Sequence, residues 1–345
     1  MRILIDITHP AYLHFYRHVI TKLSKAGHVL CITGRDKDIL RNLALEYKID
    51  MKFFGAFPES LLGKIALLLK RKIWLYHIVR EFKPDVMTAC AGPFIALLGK
   101  LMNVPTVVFY DTENDSLSNM LTYPFATRIC VPDCYLSKPV EREVRYAGYH
   151  SLAYLHRDLF SADSKVREEL GVRPDEKYSI VRFVKWGAGH DWGYHGLTAA
   201  QKRQVIQTLL KYGKVFVTDE SGLVDGIRQY KFPLPYFRVH DAIAFASLVF
   251  GESSTMCSEA AVLGVPSVFV YPRIKRGYTK EQSEKWEIVH WYTLDELTKA
   301  VVCAEEILKA KDVIHWKGIG EKIQKESING TNFICAQIVE AHDDI

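Results

Sequence analysis

The chain has 345 residues, 48% hydrophobic and 25% charged, enough for a sizeable core and, by length, for two domains of ordinary size. A formal net charge of +5 is too small to argue for nucleic acid. No apolar run approaches the ~20 residues that cross a bilayer. The start, MRILIDIT, runs straight into a strand-like segment and does not read as a signal peptide, and the seven cysteines form no Cys-x-x-Cys pair, so a reduced, cytoplasmic protein is expected.

Arg2 to Ile7 is an apolar run broken only by Asp6, as expected of a parallel strand buried on both faces. Thr8-His9-Pro10 and His14-Phe15 follow, then helical spacing through Val19, Ile20 and Leu23 to Gly27, and a second strand at His28 to Thr33. Strand, helix and strand in this order make a βαβ unit. Gly34-Arg35-Asp36 turns into another helix. Further strands are predicted at Met51 to Phe54, Asp85 to Thr88, Thr106 to Tyr110 and Arg128 to Val131, with helices between them. Functional loops then belong at the carboxyl ends of these strands.

Three strand ends are chemically loaded: the loop with His9 and His14, the turn Ala91-Gly92-Pro93-Phe94, and Asp111-Thr112-Glu113-Asn114-Asp115. A histidine beside carboxylates suits general-base work, because neutral imidazole accepts a proton from a hydroxyl near pH 7. Each has a plainer reading. His14 also fits a half-buried residue on the first turn of a helix, Asp111 an N-cap, and Glu113 an acid favoured by the helix dipole. Pro58 to Arg80 differs in kind, with leucines and isoleucines at helical spacing and Lys64, Lys70, Arg71 and Lys72 clustered beside Trp74 and Tyr76. That composition suits either weak contact with an anionic membrane surface or a core-packed helix with a solvated basic edge.

A boundary is expected between Asp158 and Lys177, where a short helix from Ser161 ends near Gly171 and a polar turn, Arg173-Pro174-Asp175-Glu176, precedes a fresh strand at Tyr178 to Val184. The α/β rhythm restarts there, with a helix at Leu197 to Tyr212, a strand at Lys214 to Thr218, and helices at Gly222 to Gln229 and His240 to Ala246. Arg182 and Lys185 close the first strand of this half and lead into a glycine-rich turn, Trp186 to Asp191, whose cations suit phosphate oxygens. His190, Asp191 and His195 match no familiar ligand spacing, so no metal is expected. His240 heads its helix straight after a strand and either meets a bound base or phosphate or is an ordinary lone histidine. Leu294 to Lys309 and Asn332 to Ala341 are predicted helices, separated from each other by the break Asn329-Gly330-Thr331.

The most informative stretch is Val249 to Pro272, VFGESSTMCSEAAVLGVPSVFVYP. It spells strand, tight turn, helix and strand, with Ser253, Ser254 and Thr255 at the helix start. A helix N-terminus offers unpaired N–H groups and partial positive charge, so small residues there admit a phosphate, and Glu259, about one turn in, suits the hydroxyls of a ribose. An ordinary capped turn is the alternative.

The segment Gly251 to Pro266 resembles the donor-nucleotide motif of GT-B glycosyltransferases and hydrolysing UDP-N-acetylglucosamine 2-epimerases. More closely, the chain resembles a group of predicted GT-B-type glycosyltransferases of bacteria and archaea, through Ile7-Thr8-His9-Pro10 with His14-Phe15, Gly34-Arg35-Asp36, Asp111-Thr112-Glu113, Gly148 with Ala153-Tyr154-Leu155-His156, and Arg182 with Ala188. The resemblance implies two Rossmann-like α/β domains facing a central cleft, 1–160 on the acceptor side and 161–328 on the nucleotide-sugar side, with 329–345 packing back on the first. It further implies transfer of a sugar from a nucleotide-activated, expectedly UDP-linked, donor to a glycan or lipid-linked acceptor in cell-surface polysaccharide or glycoconjugate synthesis, without metal or cofactor. In that reading His14, Asp111 or Glu113 supplies the base, and His9 and Gly92 face the acceptor. Arg182, Lys185, His240, Ser253, Ser254, Thr255 and Glu259 hold the donor. The alternatives are a hydrolysing epimerase or nucleotide-sugar hydrolase, and a non-catalytic nucleotide-sugar-binding partner. The epimerase pattern has Ser-Gly-Gly where this chain has Ser253-Ser254-Thr255. Cytoplasmic location, with peripheral contact at the inner face of the membrane, completes the expectation.

Overall fold

The computed structural model describes residues 1–36, 39–55, 61–113, 116–184, 195–219, 225–272, 276–310 and 312–344. The chain divides into two compact units, Met1–Tyr154 with Ile328–Ile345, and Leu155–Ser327.

The first unit runs β1 (Arg2–Ile7), α1 (Pro10–Lys25), β2 (Val29–Arg35), α2 (Leu40–Glu46), β3 (Lys52–Phe54), α3 (Leu61–Phe82), β4 (Val86–Cys90), α4 (Pro93–Met102), β5 (Thr106–Phe109), α5 (Ser116–Thr122), β6 (Arg128–Pro132), β7 (Glu143–Tyr146) and α6 (Leu152–Leu155). Its sheet is parallel throughout, ordered β3-β2-β1-β4-β5-β6-β7. β1 lies near the middle of the sheet, and its Ile3, Leu4, Ile5 and Ile7 are fully buried, as a strand covered on both faces requires. One core cluster joins Leu4, Met87, Val108 and Ile129 of the strands to Leu75, Ile78 and Val79 of α3 and Ile95 and Leu98 of α4.

Asp6 is the exception in that apolar strand. Its carboxylate accepts Thr33 Oγ1 at 2.9 Å and Arg71 Nη2 at 2.7 Å on both oxygens. Arg71 is therefore no part of a surface basic cluster, as its sequence neighbours implied. It points inward because a buried carboxylate needs a counter-charge.

The second unit runs α7 (Val166–Glu169), β8 (Tyr178–Phe183), α8 (Ala199–Leu209), β9 (Lys214–Asp219), α9 (Val239–Ala244), β10 (Leu248–Gly251), α10 (Ser254–Val262), β11 (Ser267–Val270), α11 (Gly277–Glu284), β12 (Val289–Tyr292), α12 (Leu297–Ala310) and α13 (Val313–Glu326). Its parallel sheet is ordered β12-β11-β10-β8-β9 around a core that includes Val181, Phe183, Val217, Phe250 and Val268. Arg228–Tyr230 is a single 3₁₀ turn where a longer helix is predicted, and residues 220–224 lie outside the described set.

The chain then returns to the first unit as α14 (Gly330–Glu340). Thr331 Oγ1 donates to the Ala153 carbonyl at 2.7 Å, Arg128 reaches Gln337 and Glu340, and Lys22 bonds Asn332. Among the described residues no helix is long and apolar enough to cross a membrane.

Candidate functional site

In an open parallel sheet, the strand order reverses at one place, and loops leaving the carboxyl ends there diverge and open a crevice. The orders above put that place between β1 and β4 in the first unit and between β8 and β10 in the second. The predicted site residues gather around both.

In the second unit, β10 ends at Gly251, in register with Arg182 of β8. A Cβ on Gly251 would stand 2.1 Å from the Arg182 carbonyl oxygen, so only glycine lets the turn begin here. Glu252, 2% exposed, accepts the N–H groups of Val184 at 3.3 Å and Leu197 at 2.7 Å. Ser253 is the N-cap of α10, its hydroxyl accepting the Met256 N–H at 3.3 Å. The amides of the helix's first positions have no intrahelical acceptor, which leaves those of Ser254 and Thr255 at the positive end of the dipole. Ser254 is 8% exposed, and its Oγ accepts from Arg276 Nη1 at 2.5 Å and from the Tyr278 hydroxyl at 2.9 Å. Glu259, on the following turn, meets His240 Nε2 at 3.1 Å, both side chains being buried.

The structure thus brings Ser253, Ser254, Thr255, Glu259 and His240 around one helix, with Arg182 on the adjacent strand. Lys185 and the turn 186–191 lie outside the described residues. Glu252, Arg276 and Tyr278 are the members that sequence reasoning missed.

In the first unit, His9 is the N-cap of α1, its Nδ1 accepting the Ala11 N–H at 3.2 Å. His14 lies further along the same helix, 8% exposed, with Nδ1 2.9 Å from the Tyr47 hydroxyl. That hydroxyl also accepts Arg17 Nη1 at 3.0 Å. Gly92 is the N-cap of α4 with a left-handed φ of 56°, and the preceding Ala91 carbonyl accepts the hydroxyls of Tyr110 and Thr122. Neither Asp111 nor Glu113 is placed as the cap of α5, which begins at Ser116. Glu113 Oε1 accepts the Leu136 N–H at 3.0 Å instead.

Asp111 has a partner that the sequence did not offer. His150 Nδ1 lies 3.4 Å from Asp111 Oδ2, and the imidazole packs on Phe15 with ring centroids 4.6 Å apart. A carboxylate only accepts hydrogen bonds, so the neutral tautomer that suits Asp111 carries its proton on Nδ1 and leaves Nε2 bare. Nε2 is buried and has no hydrogen-bond partner among the described residues. Burial pushes the imidazole below its ordinary pKa, while Asp111 pulls the other way.

A cavity of about 740 Å³ lies at the opposite, amino-terminal edge of the first unit's sheet, lined in part by Lys100, Arg128 and Glu143, and holds none of these groups. Among the described residues no cluster of three or more His, Cys, Asp or Glu side chains is arranged to hold a metal ion.

With this geometry in place, likeness to known proteins becomes informative. The profile of the family described as "Protein of unknown function (DUF354)" matches residues 1–323. The chain belongs to that family. It is 23% identical over 311 residues to an uncharacterized protein of Methanocaldococcus jannaschii, covering 86% of this chain and 89% of the relative. Among solved structures it is similar to the UDP-GlcNAc 2-epimerase of Neisseria meningitidis bound to UDP-GlcNAc, with a TM-score of 0.72 at 12% identity over 99% of this chain and 100% of the other. It is also similar to the spinosyn rhamnosyltransferase SpnG complexed with thymidine diphosphate, with a TM-score of 0.66 at 11% identity over 98% and 100% of the two chains. The DUF354 chain therefore has the GT-B fold, two parallel-sheet α/β domains in one polypeptide.

Proposed function

We propose that this DUF354 protein is a glycosyltransferase that moves a sugar from a nucleoside-diphosphate donor, UDP-linked by preference, onto a glycan or lipid-linked acceptor in cell-surface polysaccharide or glycoconjugate synthesis. The observation that carries this is the buried set around α10. It places first-turn amides, small hydroxyl residues and a buried His240–Glu259 pair at the point where the sheet order reverses. The same fold in similar proteins accompanies UDP-GlcNAc and thymidine diphosphate, which supports a nucleotide sugar here.

In this reading the amides and hydroxyls of Ser253, Ser254 and Thr255, with Arg182 and Lys185, hold the diphosphate. Negative charge grows there as the glycosidic bond breaks, so fixed donors act most strongly in the transition state. Glu259, oriented by His240, receives the ribose hydroxyls. At the first unit's strand ends, His14 and the Asp111–His150 pair are the groups able to take the acceptor's proton, and the pair is favoured because Asp111 leaves His150 Nε2 bare. Glu113 shapes the loop at Leu136, while His9 and Gly92 set the helix starts that face the acceptor.

A thermal-shift screen of UDP, thymidine diphosphate, ADP, GDP and their sugar conjugates tests the donor assignment. A ligand that binds only the native state raises the melting temperature, so at least one nucleoside diphosphate should do so. If none does at millimolar concentration, the assignment fails. The second reading, a hydrolysing epimerase, draws on the likeness to the Neisseria enzyme. Rapid conversion of UDP-GlcNAc to UDP and free sugar without acceptor would establish it in place of transfer.

The acceptor side of the proposal includes weak contact with an anionic lipid surface. The outward stripe of α3 is apolar, with Leu69 56%, Ile73 59% and Tyr76 38% exposed, and Lys70, Lys72 and Arg80 flank it. An apolar stripe rimmed by cations complements anionic headgroups over an acyl layer, each cation contributing about 1 kcal/mol near the surface. Sedimentation with phosphatidylglycerol vesicles at low salt should pull down the wild type and leave Ile73→Glu in solution. Equal binding of both proteins, or a wild-type dimer that Ile73→Glu splits, would give the stripe another partner.

A further inference from the structure

The cavity at the amino-terminal edge of the first unit's sheet takes no part in the site above, and its rim has a charge pattern of its own. Of the five charged residues that line it, two are matched within the chain: Arg128 Nη1 lies 3.1 Å from Glu340, and Glu143 accepts Arg145 Nε at 2.7 Å. The other three, Lys100, Glu141 and Arg142, are exposed and form no ion pair among the described residues. Arg142 Nη1 donates to the Pro124 and Ala126 carbonyls at 3.3 and 3.2 Å, which fixes the guanidinium at the rim without neutralising it.

Apolar side chains surround these charges. Leu101 is 72% exposed, Met120 64%, Leu121 45% and Val140 41%. Leu101 follows Lys100 on α4, and Val140 precedes Glu141. Met120 and Leu121 lie in the last turn of α5, which packs against α4 and leads into Phe125, itself part of the lining. Single exposed leucines are ordinary on a protein surface, whereas a neighbouring set of them marks an interaction surface.

The charges select the occupant. A small anion or an anionic lipid surface would meet Glu141 and the negative end of the α4 dipole as well as the two cations. Unmatched charges of both signs around apolar side chains suit a second copy of the same surface. Across a two-fold axis, Glu141 of one chain meets Lys100 or Arg142 of the other, the contact repeats with the roles exchanged, and the apolar side chains cover one another. We propose that this face, formed by the ends of α4 and α5 and the approach to β7, is a homodimer interface. The loops with His14, Asp111 and His150 lie at the opposite, carboxyl-terminal edge of the sheet, so pairing here leaves that crevice open in each copy.

Sedimentation velocity of the full chain, from micromolar to sub-millimolar concentration, tests it and should show a monomer–dimer equilibrium. Leu101→Glu alters a side chain already mostly in water, so it should keep the wild-type melting temperature while weakening the dimer at least about 30-fold. Ile73→Glu, on α3, should leave the dimer unchanged. Glu141→Lys and the double variant Lys100→Glu/Arg142→Glu should each weaken it about 10-fold, because like charges then face each other across the axis. Mixed in equal amounts, those two variants should dimerise as tightly as the wild type, since each presents the charge that the other lacks. Misfolding cannot produce such a rescue. A wild type that stays monomeric throughout would overturn the proposal, and binding of inorganic phosphate at the rim of that monomer would give the cavity to a small anion instead. A dimer indifferent to Leu101→Glu, a dimer split by Ile73→Glu, or charge variants that stay apart on mixing would overturn it equally.

Discussion

Arg71 and Asp6 are 3% and 2% exposed, joined by a guanidinium nitrogen 2.7 Å from both carboxylate oxygens, with the Arg71 guanidinium also 4.9 Å above the Phe94 ring. A pair so fully removed from water gains little against an apolar pair of the same shape, yet losing one member strands the other. Arg71→Met should therefore cost about 3–5 kcal/mol, read as a lower urea midpoint. Asp6→Leu combined with Arg71→Met should recover most of that loss. If the single variant is as stable as wild type, the pair is not buried in solution. The partners are 65 positions apart. An arginine between two lysines reads as surface until the strand that needs its charge is known, which is why it was misplaced from sequence. Asp111 is a parallel case, since its partner His150 lies in a distant loop and no local spacing announces the pair.

Among elements, the strands at the centre of each sheet are the most legible, although the edge strands β3 and β9 are also predicted, at Met51 to Phe54 and Lys214 to Thr218. β1, β5 and β10 are covered on both faces and spell continuous apolar runs, so the turns that leave their carboxyl ends could be located, and with them Asp111, Ser253, Ser254 and Glu259. Edge elements carry a mixed message. β7, Glu143–Tyr146, and β12, Val289–Tyr292, lie at sheet edges, are four residues each and carry charged or polar side chains. Neither was foreseen, and His150 was lost with β7, whose carboxyl end it follows. α13 was hidden for another reason. Gly318 and Gly320 weaken its local signal, and its position depends on Lys317, whose ammonium donates to the Ala244 carbonyl at 2.9 Å and the Leu263 carbonyl at 2.8 Å. Those carbonyls belong to the ends of α9 and α10, where a cation also meets the negative dipole ends. Burial without a carboxylate partner pushes the Lys317 pKa down, so the contact draws on solvation energy that only the assembled helices return. The attachment of Arg276 to Ser254 spans 22 positions and belongs to the tertiary structure alone.

At the scale of the molecule, the two units depend on the chain in different ways. The second is continuous, Leu155–Ser327, and contains its own core together with Arg182, the His240–Glu259 pair and the Ser254–Arg276–Tyr278 group. The first is interrupted, because Ile328–Ile345 returns to it and α14 buries Ile334, Cys335 and Ile338 at 2%, 7% and 0% exposure. Burying three such side chains contributes on the order of 5 kcal/mol. That is comparable to the whole stability of an ordinary domain, about 5–15 kcal/mol. The loss would fall on a unit that also gives up the Thr331 bond to Ala153 and the Arg128 contacts. A chain ending at Ser327 should therefore lose amide-exchange protection in β1 and β4 while keeping it in β8 and β10. Residues 155–327 expressed alone should fold and still show a rise in melting temperature with UDP, because every group assigned to the diphosphate and ribose lies within them. Persistent protection of β1 in the truncated chain would mean that α14 is dispensable. A folded 155–327 fragment that ignores UDP, when the full chain responds to it, would mean that the α10 site is incomplete without the first unit.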